Sequence, residues 1–107
     1  MTDITKADWK LFRERISDWQ ESYMERLVKE YIDFLQSDKA ASEKFWELEK
    51  RIKRDRKRPG VLIELDKSEM VWDLCRLIRD GVITTDDLDG FSEDCRETVV
   101  QLLNRQW

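Results

Sequence analysis

A helical hydrophobic pattern runs through the first third of the chain and constrains its fold more than any other feature. Its apolar residues, spaced three or four apart, are Trp9, Phe12, Ile16, Trp19, Tyr23, Leu27, Tyr31, Phe34 and Leu35. Met24, Val28 and Ile32 widen this stripe, and no helix-breaking residue interrupts it before Ser37. The spacing predicts a helix over residues 5–36, about 45 Å long at about 1.5 Å per residue. A domain of 107 residues needs no helix this long to cross its core, so we expect it to be the central element of the fold.

A second helix is predicted over residues 42–58, directly before Pro59. Proline disfavours a helical conformation in the residue that precedes it, so the helix must end there or earlier. Phe45, Leu48 and Ile52 mark an apolar face, which assigns this part of the helix to the bundle. Because only a short connection separates the two helices, we expect them to fold back as an antiparallel hairpin.

Residues typical of helix caps predict the other boundaries. Thr5 and Asp8 have the spacing of a capping box, and Ser42 is the expected N-cap of the second helix. Gly81 is the expected left-handed residue after a third helix. The C-terminal helices are predicted over residues 66–80, 84–89 and 92–105.

Residues 61–65 connect the second helix to the third. This run is apolar and partly β-branched, so a strand is one interpretation. The sequence offers no second strand for it to pair with. An extended connection lying on the core is therefore the favoured prediction.

Glycine and proline are scarce, which favours an all-α fold. The chain contains three glycines and one proline among 107 residues. All-β folds use these residues in their turns, whereas long helices exclude them. We predict one domain over residues 1–107, a small helical bundle. It should contain a long N-terminal helix, a helical hairpin and two to three shorter C-terminal helices packed on that hairpin.

The two cysteines and the polar N-terminus indicate a soluble, cytoplasmic protein. Cys75 and Cys95 form no C-x-x-C pattern, and free cysteine commonly behaves as a small buried hydrophobic residue. The first residues are unlike a signal peptide, and no apolar run reaches the ~18 residues that a membrane span requires. We expect two buried, free thiols.

Residue types that commonly carry catalysis and metal binding are missing from the sequence. The chain has no histidine, which removes the commonest general base and the commonest nitrogen ligand. Two isolated cysteines cannot build a structural zinc site. The acidic run 86–89 does not fit a calcium loop, because Arg96 falls where a bidentate glutamate is required. We expect a non-enzymatic protein without catalytic residues, cofactor or metal.

The basic segment, residues 50–58, reads K-R-I-K-R-D-R-K-R and contains seven basic residues and one acidic residue. The whole chain carries a net charge of -4, so the rest of it is strongly acidic. The simplest interpretation is a solvated helix end that complements the helix dipole. A second interpretation is a contact to the phosphates of nucleic acid. A third is the docking of a protein partner on a surface that carries both positive and negative charge.

The five tryptophans fall into two groups. Trp9 and Trp19 lie on the stripe of the first helix, and Trp72 has apolar neighbours, so we expect these three in the core. Trp46 and Trp107 lie off the apolar faces and are candidates for exposed binding anchors. The candidate partner-binding residues are therefore Lys50, Arg51, Lys53, Arg54, Arg56, Lys57, Arg58, Trp46 and Trp107.

Three stretches carry a resemblance to known sequences: D-W-K-L-F-R-E-R near the start, K-F-W-E-L-E-K-R-I in the second helix, and D-G-V-I-T-T-D-D-L-D-G-F-S near the end. On these the chain resembles a group of small, mostly uncharacterised helical bacterial proteins from genomes rich in mobile elements. The group has no assigned activity and assigns no role to any residue.

The functional hypothesis is a small interaction module that binds another protein through a charge-polarised surface. Its most specific form, suggested by the mobile-element resemblance, is an anti-CRISPR-like inhibitor of a host defence nuclease, a nucleic-acid-processing enzyme. The alternative is a regulator that contacts nucleic-acid phosphates through the basic segment. The long apolar stripe also leaves room for a helix-mediated homodimer.

Overall fold

The computed structural model describes residues 4–106, and that range contains four α-helices and no strand. The α-helices are α1 (Lys6–Leu35), α2 (Ala41–Asp55), α3 (Met70–Arg79) and α4 (Glu93–Gln106). Short 3₁₀ turns occupy Lys67–Glu69 and Thr85–Leu88. The all-α prediction and the long N-terminal helix are confirmed.

The first turn of α1 is tied to the start of α4. The Thr5 side chain accepts a hydrogen bond from the Asp8 backbone N–H at 2.9 Å, which is half of the predicted capping box. The Asp8 carboxylate accepts hydrogen bonds from the N–H and the hydroxyl of Ser92, each at 2.7 Å. The Ser92 hydroxyl in turn accepts one from the Cys95 N–H at 3.2 Å, so one carboxylate joins two helix N-termini.

The structure corrects the predicted bounds of α2. The helix ends at Asp55 rather than at residue 58, because the chain must leave the helical conformation ahead of Pro59. Residues after it form turns, in which the Arg58 N–H bonds the Asp55 carbonyl at 3.0 Å. Ser42 is not the N-cap; that position belongs to Ala40, which makes no side-chain cap hydrogen bond.

The predicted helix over 66–80 is divided into a 3₁₀ turn and α3. The Asp66 carboxylate accepts from the Ser68 N–H at 3.0 Å and so caps the short turn, after which α3 begins at Met70. Gly81 has a φ of 76°, as predicted for a left-handed residue after a helix. The segment predicted over 84–89 is the 3₁₀ turn, and its capping box between Thr84 and Asp87 is present.

The apolar core is built from the first half of α1 and the C-terminal half of the chain. Phe12 and Ile16 of α1 pack against buried residues of α3, α4 and the segment between them. Those residues are Met70, Val71, Leu74, Cys75, Leu77, Ile83, Leu88, Phe91, Cys95 and Val99. No residue of α2 belongs to this cluster. The C-terminal helices therefore pack on α1 but not on α2, which corrects the prediction that they pack on the whole hairpin. The molecule is elongated, with principal extents of 52 × 28 × 22 Å.

Residues 61–65 form no strand and lie partly on the core. Ile63 packs against the core cluster, whereas Leu62 is 69% exposed. Trp9 and Trp19 also pack against the cluster and are half-buried, as is Trp72.

Both cysteines are buried and free, as predicted. Burial raises the pKa of the Cys75 thiol and of the Cys95 thiol to about 11, so both are protonated at neutral pH. Within residues 4–106, the helices include none with the length and apolar character needed to cross a membrane.

Candidate protein-binding surface

The second half of α1 and the whole of α2 form a two-helix arm, residues 21–58, that projects from the core. Its base is fixed where the chain returns to the core. The Gln20 side-chain amide donates to the Pro59 carbonyl at 3.0 Å, and Arg26 donates to the Gly81 carbonyl at 2.6 Å. Gly60 lies against the Tyr23 ring so closely that a Cβ atom there would stand 2.3 Å from a ring carbon. Only glycine fits at this point of the chain.

A buried carboxylate joins α2 to α1. The Asp55 side chain is 3% exposed and accepts a hydrogen bond from the Tyr31 hydroxyl of α1 at 2.5 Å. Arg54 Nε lies 2.9 Å from the same carboxylate, and Arg58 Nε lies 3.3 Å from it. Arg58 also reaches Asp80, at 3.1 Å, just beyond α3. This network satisfies a buried charge and connects the base of the arm to the core.

The network shifts the pKa values of Asp55 and Tyr31. Burial alone would raise the pKa of Asp55, but hydrogen bonds from Arg54 and Tyr31 and the nearby guanidinium charges hold it below its ordinary value. Burial and the hydrogen bond to Asp55 raise the pKa of Tyr31 to about 12. Asp55 therefore stays ionised, and Tyr31 stays protonated, throughout the neutral range.

Nearer the tip of the arm, a cation lies on an aromatic ring. The Arg51 guanidinium of α2 stands 4.2 Å from the centre of the buried Phe34 ring of α1 and pairs with Glu47 at 3.3 Å. Lys39, in the loop between the helices, approaches the same ring at 5.8 Å. The inner side of α2 is thus held by charged side chains rather than by apolar packing.

The basic residues of the segment therefore fall into two groups, those with an intramolecular contact and those without an ion pair among the described residues. Arg51, Arg54 and Arg58 make the intramolecular contacts described above, and Lys53 pairs with Glu49 at 3.6 Å on the surface. The three other basic residues are exposed and make no ion pair within the described part of the chain; they are Lys50, Arg56 and Lys57. The sequence did indicate these intramolecular contacts. Asp55 is the single acid inside the basic segment, with Arg54 directly before it and Arg58 three residues after it.

Trp46 and three lysines form one stripe along the outward side of α2. We call this the outer stripe: Trp46, Lys50, Lys53 and Lys57. The lysines follow Trp46 by four, seven and eleven residues, and Lys57 lies in the turn after the helix. Trp46 is 58% exposed, as expected for a binding anchor. Beside it, Lys39, Ser42 and Glu43 help to line a shallow depression of about 380 Å³. Trp107, the other candidate anchor, lies outside the described residues.

A second surface lies on one side of the arm, where both helices expose apolar side chains. We call it the hairpin face: Val28, Ile32 and Leu35 of α1 with Phe45, Leu48 and Ile52 of α2. Val28 and Ile52 line the same groove, about 180 Å³ in volume, which places the two helix flanks side by side. Exposure is highest at Phe45 (64%) and Val28 (51%).

The hairpin face corrects the expectation that Phe45, Leu48 and Ile52 pack within the bundle. Phe45 and Ile52 are exposed and Leu48 is half-buried, because α2 turns Arg51 and Asp55 toward α1 instead. Sequence reasoning did not identify this surface, although the apolar stripe of α1 is wider than one neighbouring helix can cover.

The surface of the arm carries exposed apolar and charged side chains. No group of three or more potential metal-binding side chains occurs within the described residues. Comparison of the chain with protein-family models, with curated proteins and with solved structures finds no match. The assignment of a function therefore rests on the geometry of the arm.

Proposed function

We propose that the protein is a small, non-enzymatic interaction module that binds another protein through the outer stripe of α2. The single observation that carries this proposal is the exposure of Trp46, at 58%, on a projecting helix beside a row of lysines. Tryptophan is enriched among residues that dominate binding energies, and a large exposed ring is otherwise unfavourable in water.

The charges of the outer stripe specify the kind of partner. Lys50, Lys53 and Lys57 project from the same side of α2 as Trp46, and only Lys53 makes an ion pair, an exposed one. An acidic surface with an apolar recess would complement this arrangement, with the lysines orienting the encounter and Trp46 filling the recess.

The more specific hypothesis is an anti-CRISPR-like inhibitor of a host defence nuclease. It is supported by the acidic character of the chain outside the basic segment. In that arrangement the outer stripe docks on an acidic patch of the enzyme, and the acidic remainder of the molecule lies toward the channel for nucleic acid.

The test is a capture experiment with the full chain and a photo-crosslinking amino acid in place of Lys50. The partner should be an acidic protein that crosslinks from this position. Trp46→Ala should weaken its binding about thirtyfold, as expected for an anchor of this kind. Leu62→Ala is the matched control, since Leu62 is 69% exposed but lies outside the arm, and it should leave binding unchanged.

Two results would contradict the proposal. One is a crosslinked partner whose affinity is the same for Trp46→Ala and for the unaltered chain. The other is recovery of nucleic acid alone, with binding that falls steeply as salt rises; this result would instead support a regulator that contacts phosphates through the basic segment.

A further inference from the structure

We propose that the hairpin face binds the same face of a second copy of the chain, so that two arms form a four-helix bundle. This surface adjoins the outer stripe at one point, where the Phe45 and Trp46 rings pack edge to face with their centres 5.0 Å apart, but its other residues lie on a different side of α2. The dimer would leave both copies of Trp46 available to other partners.

The first argument is that α2 has little apolar packing within a single chain. It is a helix of 15 residues, and Asp55 is its only buried residue. Helices of this length depend on tertiary packing for their stability. The apolar side chains that would normally supply this packing, Phe45 and Ile52, are 64% and 45% exposed. A second arm laid over the hairpin face would bury them.

The second argument is charge complementarity between the two helices of the arm. At the rim of the hairpin face, α1 carries the acidic Glu25, and α2 is followed directly by the basic Arg56, which makes no ion pair within the described residues. A two-fold axis parallel to the arm sets α1 of one copy against α2 of the other, so each unlike pair forms twice. Opposite charges at the rim of the interface then fix this orientation.

The rim residues of the hairpin face make the prediction specific. Glu25 lies on the same stripe of α1 as Val28 and Ile32, and Arg56 follows Ile52 by four residues on α2. Arg56 and Ile52 line the groove together with Val28, so these residues stand at the same height along the arm. The parallel axis therefore brings Glu25 opposite Arg56 of the second copy.

These observations identify the occupant as a second copy. An isologous contact requires a surface that complements itself, and one apolar face bordered by Glu25 on one helix and by Arg56 at the end of the other meets that requirement. The arm is short, about 22 Å for fifteen residues, so we expect a dissociation constant in the micromolar range.

The test is sedimentation equilibrium of the full chain across a concentration series, with the dissociation constant as the readout. The unaltered chain should form a dimer. Val28→Glu places a charge in the interface twice per dimer and should weaken association at least about a hundredfold. The matched control Leu62→Glu carries the same change at an exposed position outside the arm and should leave the dimer intact.

Charge reversal tests the orientation and also separates loss of association from loss of folding. Glu25→Lys should weaken the dimer about tenfold at low salt, and Arg56→Glu should do the same. The double variant should restore it, which a misfolded chain could not do, and helical circular dichroism should be unchanged in all three. Trp46→Ala should still dimerise.

Three results would overturn the proposal. The first is a chain that stays monomeric up to ~100 μM. The second is a dimer that Val28→Glu does not weaken, and the third is a double variant that associates no better than the single ones. A monomer that still captures a partner through Trp46 would overturn the dimer alone and leave the proposed function standing.

Discussion

The core and the arm of this molecule share one helix but are held together by different forces. In the core, residues such as Leu74 and Val99 are fully buried, and contacts are mainly apolar. In the arm, Asp55 and the cation on Phe34 hold α2, while the apolar side chains of α2 face outward. Moderate changes in salt and pH affect ionic contacts much more than they affect apolar burial.

This difference implies unequal local stability. Segments with little apolar burial open at a lower free energy than a packed core, and hydrogen exchange measures the two separately. In the monomer, α2 should therefore exchange its amides through local opening, while α3 should exchange them only on global unfolding. Interaction elements are commonly drawn from the less stable end of this range.

The largest effect is expected from a cavity in the core. Leu74 is fully buried, and Leu74→Ala should reduce the free energy of unfolding by about 2–5 kcal/mol. Urea denaturation followed by circular dichroism measures this loss. Leu62→Ala, at an exposed position, should change it by less than about 0.5 kcal/mol. Equal losses in both variants would show that the core is not the main source of stability.

A smaller and more local effect is expected in the arm from Asp55→Asn. This substitution keeps the shape of the side chain but removes the charge that Arg54 and Arg58 share, and it should cost about 1–3 kcal/mol. Hydrogen exchange should accelerate in α2 and remain unchanged in α3. The matched control is Glu49→Gln on the exposed side of the same helix, which should have almost no effect. Equal acceleration of amide exchange in α2 and α3 would show that the arm does not open independently of the core.

The smallest of the three effects should appear on acidification. Asp55 has a folded pKa below its ordinary value of 3.8, so its stabilisation is present above that value and is lost as pH falls through the folded value. The arm should therefore weaken below about pH 4. Hydrogen exchange of α2, measured from pH 7 downward and corrected for intrinsic rates, checks this.

In the core, two buried acids respond to pH in opposite directions. Burial raises the pKa of Asp73 despite its ion pair with Arg76, so its contribution to stability is fully present below pH 3.8 and is lost as pH rises through the folded value. Burial would also raise the pKa of Asp8, but hydrogen bonds from Ser92 and Thr5 lower it, so Asp8 behaves as Asp55 does. The core should therefore respond less to acid than α2; a core that opens first would contradict the comparison.

The parts of the fold that were predictable are those set by local pattern. The unbroken 3.6-residue period predicted α1, and Gly81 marked the left-handed residue after α3. The exposure of Trp46 was predicted as well, although the apolar face of α2 is itself exposed, at Phe45 to 64%.

The parts that were not predictable depend on contacts between distant residues. The apolar pattern of α2 indicated a buried face, but the fold buries the side that carries Arg51 and Asp55, because Tyr31 and Phe34 supply partners from another helix. The fit of Gly60 against Tyr23 is equally invisible in a local pattern. The outer stripe could be predicted only in part, since the basic residues of the segment other than Arg54 and Arg58, which flank Asp55, had no distinguishing mark in the sequence.

One consequence follows from the continuity of α1. This helix passes from the core into the arm over 30 residues without interruption, so bending between the two regions would require breaking its backbone hydrogen bonds. Under the proposed function, a macromolecule seated near Trp46 would therefore be kept at a set distance from anything that contacts α3 and α4. The part of α1 beyond the core, about 22 Å for residues 21–35, would set that distance.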